Sequence, residues 1–360
     1  MLAPRVLVPV VLTAVGLALA SCSTGPLAAP AHDPARAATA TTAGRPAAPA
    51  PSATSAAGSA TGPATLGRPL PAPARLAPFG GTAAAGQGAW RPAGRPVGGI
   101  RAVYETTLVP PDGTQAAGIA WMDTPVLSAR LYSGSISPGP GSYRYTAPIQ
   151  PAEAASLVAA FNGGFKMNEA RGGYYTERRT VYPLRPGAAS LVIYANGQVS
   201  VGAWDRDVAM TPNVASVRQN LLPLVAGGQP TPQAASARWQ AWGNTCGATS
   251  CAHAVPGVEH QWRSGAGVTA GGALVYAAGP SLDPLQLAEL LVRAGAVRGM
   301  QLDINPNWPV FVTYDPPAAG GLAAPSNGSK LLPTTAQGPS TFFQAAWARD
   351  FVTLSARPGA

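Results

Sequence analysis

The sequence predicts an α+β domain, a mixed sheet with hairpins and a few packed helices, and three kinds of segment carry that expectation. Ala189–Ala195, the dipeptide Asn196-Gly197 and Gln198–Trp204 read as strand, type I′ turn and strand, because Asn-Gly tolerates the positive φ that both central positions of this turn require. Trp262–Val268 and Ala273–Ala277, joined through Gly271-Gly272, read as a second hairpin. Two helices interrupt the strands, Pro151–Ala160 and Asp283–Ala294. Each has proline in its first turn, and the second carries Leu285, Leu287, Leu290 and Leu291 before Gly295 as a stop. Each helix runs into a short strand, Phe161–Phe165 and Gly299–Asp303, which places a polar residue where side chains face the rim of a sheet.

Of 360 residues, 24 are Lys or Arg and 15 are Asp or Glu, a formal charge of +9 that invites a nucleic-acid reading. The distribution argues against it. Residues 23–95 hold Arg36, Arg45, Arg68, Arg75, Arg91 and Arg95 against Asp33 alone, so the remainder from residue 96 is close to neutral and no nucleic-acid partner is expected. Arg5 precedes an apolar run, Val6–Ala20, that is too short to span a bilayer and has the order of a secretory signal over residues 1–21. Leu19-Ala20-Ser21-Cys22 resembles a bacterial lipobox, in which the thiol of Cys22 would be lipidated; an ordinary signal peptide containing a Cys is the alternative. Residues 22–95 are rich in Ala, Pro, Gly and Thr without periodicity, and read as a disordered tether ahead of a domain at 96–360. The expected location is extracytoplasmic, anchored to the membrane at the bacterial cell surface. Two Cys remain, Cys246 and Cys251, an even number for an oxidising compartment; a disulfide between them is expected, with two free thiols as the alternative.

Three further motifs stand in order: Asn162-Gly163-Gly164-Phe165; Arg263-Ser-Gly-Ala-Gly267 followed by Gly272-Ala-Leu-Val; and Leu287-Ala288-Glu289-Leu290 with Gly295-Ala296 leading to Leu302-Asp303. With them the chain resembles the phosphodiester glycosidase family over roughly residues 100–355, a divergent member in which Ile304-Asn305-Pro306-Asn307-Trp308 replaces the family's glycine run after the Asp. The resemblance implies hydrolysis of a glycosyl phosphodiester, in envelope glycans or glycolipids. The changed loop also motivates an alternative, a non-catalytic protein that binds wall glycan or a phosphate-bearing polymer.

Cleavage of a sugar-1-phosphodiester at the anomeric carbon needs a cation on the phosphate and a carboxylate for the oxocarbenium-like centre or the attacking water. Arg263 is the first candidate for the phosphate and Arg178 and Arg179 the next, since a guanidinium meets phosphate oxygens with two parallel bonds. Asp303 is the best-placed carboxylate, with Glu177 a candidate partner. Asn162 would bind sugar hydroxyls, Gly163 and Gly164 would admit close backbone approach, and Asn305 would assist binding. Each has a structural alternative: a turn residue for Asn162, an ion pair with Asp303 for Arg263, strand exposure for Arg178 and Arg179, an exposed Glu177, a loop cap for Asp303, and core packing for Trp308, Tyr174 and Tyr175. Asp303-x-Asn305-x-Asn307 is not an EF-hand, because Trp308 and Tyr314 stand where Gly and Glu are required. No cofactor motif is present and no metal is expected, with an irregular Ca²⁺ site at this loop as the alternative.

Overall fold

The computed structural model describes residues 66–80, 85–111, 113, 115–236, 242–243, 260–318 and 320–359. The signal segment 1–21, the lipidation residue Cys22 and the Cys246–Cys251 pair lie outside these residues.

Short apolar runs bounded by Gly, Pro and Asn become strands, and they assemble into three antiparallel sheets rather than the mixed α+β arrangement expected. In spatial order the eight-stranded sheet contains β1 (Arg91–Ala93), β2 (Val103–Leu108), β3 (Ala117–Met122), β14 (Leu274–Leu282), β13 (Gln261–Thr269), β15 (Ala296–Gln301), β11 (Pro223–Ala226) and β12 (Gln229–Pro230). One five-stranded sheet contains β7 (Arg179–Tyr182), β6 (Tyr174–Thr176), β10 (Val214–Gln219), β8 (Ala189–Tyr194) and β9 (Val199–Ala203). The other contains β17 (Gly328–Lys330), β16 (Phe311–Tyr314), β5 (Leu157–Asn162), β18 (Phe351–Ala356) and β4 (Leu127–Tyr132). Leu131, Phe161, Leu191, Val275 and Met300 share one apolar core drawn from all three sheets, while Leu157, Ala160, Val312 and Phe351 pack into a second core on the other face of β5. Because β5 is covered on both faces, it reads as an uninterrupted apolar run.

Helix is scarce among the described residues. The segment expected to be helical over Pro151–Ala160 forms only α1 (Pro151–Ala154) before becoming β5, because burial on both faces favours the strand over alanine's helical preference. The second helix, α2 (Pro284–Arg293), forms as expected. Asp283 caps it by accepting from the Gln286 amide at 2.7 Å, Gln286 returns a bond to the Asp283 amide at 3.0 Å, and Gly295 leaves it with φ of +90°. Leu287, Ala288, Leu290 and Leu291 are buried in the main core.

Both expected hairpins form, with a different turn. Asn196 keeps negative φ and only Gly197 is left-handed at +77°, giving a three-residue loop closed by Gly197 N–H to Tyr194 O at 2.7 Å and Tyr194 N–H to Gln198 O at 2.9 Å. The Thr269–Ala273 turn repeats this pairing with Gly272 at φ +90°. Gly197 is additionally confined: a Cβ there would lie 2.0 Å from Ser128 Oγ.

The boundary at residue 96 is corrected. Residues 66–80 and 85–95 belong to the folded unit: Leu76 is buried, the Leu70 amide donates to Asp123 at 2.9 Å, Trp90 donates to Ala74 O at 2.8 Å, and β1 pairs with β2. Arg68, Arg75, Arg91 and Arg95 therefore sit on folded protein, and the basicity assigned to the tether is largely the domain's own.

Two outcomes follow from this packing. Gly197→Ala lowers stability by about 1–3 kcal/mol, read from the urea midpoint. A chain beginning at residue 96 melts below one beginning at residue 66; equal melting temperatures would show that the segment is not part of the fold.

Candidate functional site

Two strand ends meet a third strand where the sequence places its polar residues. Asn162 closes β5, Ser264 lies on β13, and Asp303 follows β15; all three are buried. Asn162 is held by four bonds. It donates to Gly163 O at 2.8 Å and Ser264 Oγ at 3.0 Å, and accepts from Tyr276 Oη at 2.8 Å and the Val310 amide at 3.0 Å. An asparagine side chain has two donors and one carbonyl with two lone pairs, so its capacity is used within the protein. The sugar-binding role expected for Asn162 is corrected to one of joining three strands.

The two glycines make room for neighbours rather than for a ligand. A Cβ on Gly163 would stand 2.0 Å from the Asp350 carboxylate, and one on Gly164 would stand 2.8 Å from Asn220 Oδ1. Asp350 pairs with the fully buried Arg218, Nε to Oδ2 at 2.8 Å, while Arg218 also donates to Gln219 O at 2.6 Å and to Phe165 O. Asn220 accepts from the Phe165 amide at 3.0 Å and donates to Gln301 O and Leu302 O at 2.9 and 3.0 Å. The Asn-Gly-Gly-Phe motif thus forms a turn wrapped around Asp350, Arg218 and Asn220.

Arg263 does not meet Asp303. Successive residues of a strand face opposite sides, so Ser264 points to Asn162 and Asp303 while Arg263 points away. Its guanidinium is buried, donating to Leu282 O at 2.7 Å and Gln301 Oε1 at 2.8 Å, and burial lowers its pKa to about 10. This corrects both the expected phosphate role and the alternative of an ion pair with Asp303.

The partner of Asp303 is Arg349. Its Nη2 donates to Asp303 Oδ2 and, at 2.6 Å, to Gly164 O, so one guanidinium ties the carboxylate to the glycine motif. Asp303 Oδ1 accepts from the amides of Ile304 at 2.8 Å and Asn305 at 3.0 Å. Burial raises the Asp303 pKa to about 6, against the opposing pull of Arg349 and these amides. Arg349 is itself buried, its Nε has no hydrogen-bond partner among the described residues, and its guanidinium lies 5.1 Å from the centre of the Trp308 ring. Trp308 is half-buried and packs edge-on against Trp347 at 5.6 Å.

The Asp303-x-Asn305-x-Asn307 spacing has a local explanation. Asp303 accepts from the Asn305 amide and Asn305 accepts from the Asn307 amide at 3.0 Å, two successive Asx turns that give the loop its shape. Asn305 itself is exposed. Among the described residues no group of three or more His, Cys, Asp or Glu is arranged to hold a metal.

Glu177 and Arg178 form the two-residue turn between β6 and β7, at φ of +52° and +63°, and Arg179 opens β7 opposite Thr176. Glu177 accepts from the amides of Arg144 and Tyr145 at 2.9 and 3.1 Å and pairs with Arg179 at 3.5 Å; Arg178 is exposed. None of the three contacts Asp303. They reach its neighbourhood through the loop 133–146, whose Ser135 amide donates to Trp347 O at 2.9 Å.

Arg218, Asn220, Arg349 and Asp350 were not legible as site residues. For Arg218, Arg349 and Asp350 the one sequence signal is charge standing in or beside apolar strands in a chain that is only 11% charged, and Asn220 carries no such signal.

No family model and no curated sequence matches the chain. Among solved structures it is similar to the catalytic domain of zebrafish N-acetylglucosamine-1-phosphodiester alpha-N-acetylglucosaminidase, auto-inhibited by its pro-peptide, at 14% identity and a TM-score of 0.42, covering 74% of this chain and 88% of that one. It is also similar to a hypothetical protein from Synechocystis, at 11% identity and a TM-score of 0.35, covering 73% and 64%, and to a putative exported protein from Burkholderia pseudomallei, at 12% and 0.28, covering 67% and 74%. These are distant likenesses of fold, so the chemistry has to be read from the chain's own side chains.

A pH dependence follows from the buried carboxyl. Folding raises Asp303 from 3.8 to about 6, so between these values the folded protein holds a proton that the unfolded chain has released. The contribution is therefore complete below about pH 4 and lost as pH rises through 6, a change of about 2–3 kcal/mol. Urea titrations of wild type and Asp303→Asn should show wild type gaining that much relative stability at pH 4 compared with pH 7. A difference that does not vary with pH would place Asp303 in a more hydrated setting.

Proposed function

We propose that the protein hydrolyses a glycosyl phosphodiester at the edge formed by Asp303, Arg349 and Trp308. One observation carries this reading: a buried arginine whose Nε has no partner among the described residues holds a carboxyl of raised pKa and lies beside a partly exposed indole. An indole face suits the apolar face of a sugar ring, a guanidinium suits the phosphate beside it, and a carboxyl titrating near 6 suits general-base work at neutral pH. The motifs after which the chain resembles phosphodiester glycosidases support the same substrate class.

In this mechanism the substrate phosphate draws the Arg349 guanidinium towards itself, weakening its hold on Asp303 Oδ2. The released carboxylate takes a proton from water as that water adds to the anomeric carbon. The bond from that carbon to the phosphate oxygen breaks with its electron pair, giving a phosphate monoester stabilised by Arg349 and a free sugar. Trp308 and Trp347 orient the ring. The signal and lipobox residues extend the proposal to an anchored protein acting on envelope glycans or glycolipids.

A second reading is favoured by a specific observation: both Asp303 oxygens already accept protein hydrogen bonds, as they would in a protein that only binds the polymer. Turnover of a synthetic N-acetylglucosamine-1-phosphodiester separates the two. Hydrolysis by wild type, with kcat reduced about 100-fold or more by Asp303→Asn and kcat/KM reduced similarly by Arg349→Gln, supports catalysis. Binding without release of sugar across a panel of sugar phosphodiesters supports the second reading.

A further inference from the structure

The far end of the sheet that carries β5 and β18 holds a second polar feature. Phe351 pairs with Asn162 at the Asp303 end, and the strand then runs four residues on to Ser355, which pairs with Leu157 and, across the sheet, with Ser128. At about 3.3 Å per residue this places Ser355 roughly 13 Å along the strand from Phe351. A cleft of about 510 Å³ opens here, with Arg95, Arg130, Arg357, Glu153, Ser128 and Ser355 among its walls.

The arginines are held by carbonyls rather than by acids. Arg95, which is 8% exposed, donates to Ala155 O at 2.6 Å and Gly321 O at 2.7 Å. Arg357 donates to Thr124 O at 3.1 Å and to Asn196 O. Among the described residues neither has a carboxylate partner; only Arg130 does, Glu153 at 3.4 Å. Carbonyls fix each guanidinium in place but neutralise none of its charge, so three positive groups face one negative group. Partly buried charge of one sign is costly unless a counter-charge is supplied, and burial correspondingly lowers the Arg357 pKa. The hydroxyls of Ser128 and Ser355, a directly opposed pair of β4 and β18 that lines the same cleft, form no hydrogen bond with described residues and are spare donors. Rigid guanidinium forks with hydroxyl donors are the recognition chemistry of a phosphate group.

We propose that this cleft is a phosphate-binding site, separate from the Asp303 edge, which takes a phosphate group either as the free ion or as one unit of a phosphodiester polymer. The proposal does not require catalysis at Asp303. Its place on the same sheet would let a phosphate-bearing chain be held at one end while its sugar is presented at the other.

The test is calorimetric titration and thermal unfolding of the full chain with inorganic phosphate and, separately, with a glycerol-phosphate oligomer, both against chloride at matched ionic strength. Binding of either ligand, accompanied by a rise in melting temperature, is expected. Comparable affinities identify the free ion as sufficient, and an oligomer bound at least tenfold more tightly identifies the polymer. Ser355→Asp places a carboxylate among the arginines: it should raise the melting temperature without ligand and weaken phosphate binding at least tenfold. Absence of binding by wild type, or binding undiminished in a folded Ser355→Asp variant, overturns the proposal.

Discussion

Two neighbouring residues, Arg349 and Asp350, reach apart into two buried ion pairs, and the arrangement of the candidate site depends on them. Arg349 takes Asp303 from the end of β15 and Gly164 from the turn after β5; Asp350 takes Arg218 from β10 and accepts the Gly163 amide at 2.8 Å. One dipeptide ahead of β18 thereby links strands of all three sheets. Buried pairs of this kind contribute little net stability compared with apolar packing, but removal of one partner leaves an uncompensated charge, which strongly disfavours any other register. The two small residues of the motif, Gly163 and Gly164, leave the space these pairs need.

What the sequence made legible was local. Asn196-Gly197 and Gly271-Gly272 mark hairpins because a left-handed residue is needed at one fixed place, and Asp283-Pro-x-Gln286 marks a helix start because capping is decided within four residues. Pro151–Ala160 misled because an alanine-rich segment has helical preference on its own, and only the covering of both faces by distant segments makes it a strand. Residues 66–95 misled in the same way: their composition has no periodicity, yet single anchors such as Leu76 and Trp90 fix the segment against the sheet.

The site shows the same division. Asn162 and Asp303 could be found because they stand at the ends of apolar runs, and the structure joins them through Ser264. Arg349 could not be paired with Asp303 from sequence, since 46 residues separate them and strand alternation alone turns Arg263, the nearer guess, to the wrong side. The charge count was misplaced for a related reason: whether an arginine belongs to a tether or a cleft depends on contacts such as Arg95 with Ala155 and Gly321, which composition does not record.

We place the sugar phosphate at Arg349, whose Nε has no hydrogen-bond partner among the described residues. Titration of the arginine-labelled protein with N-acetylglucosamine 1-phosphate, followed by the Nε–Hε resonance of Arg349 in nitrogen-15 spectra, tests it directly. A saturable shift of that resonance is expected, with a matching change at the Trp308 indole; saturable binding that moves neither resonance would contradict this placement.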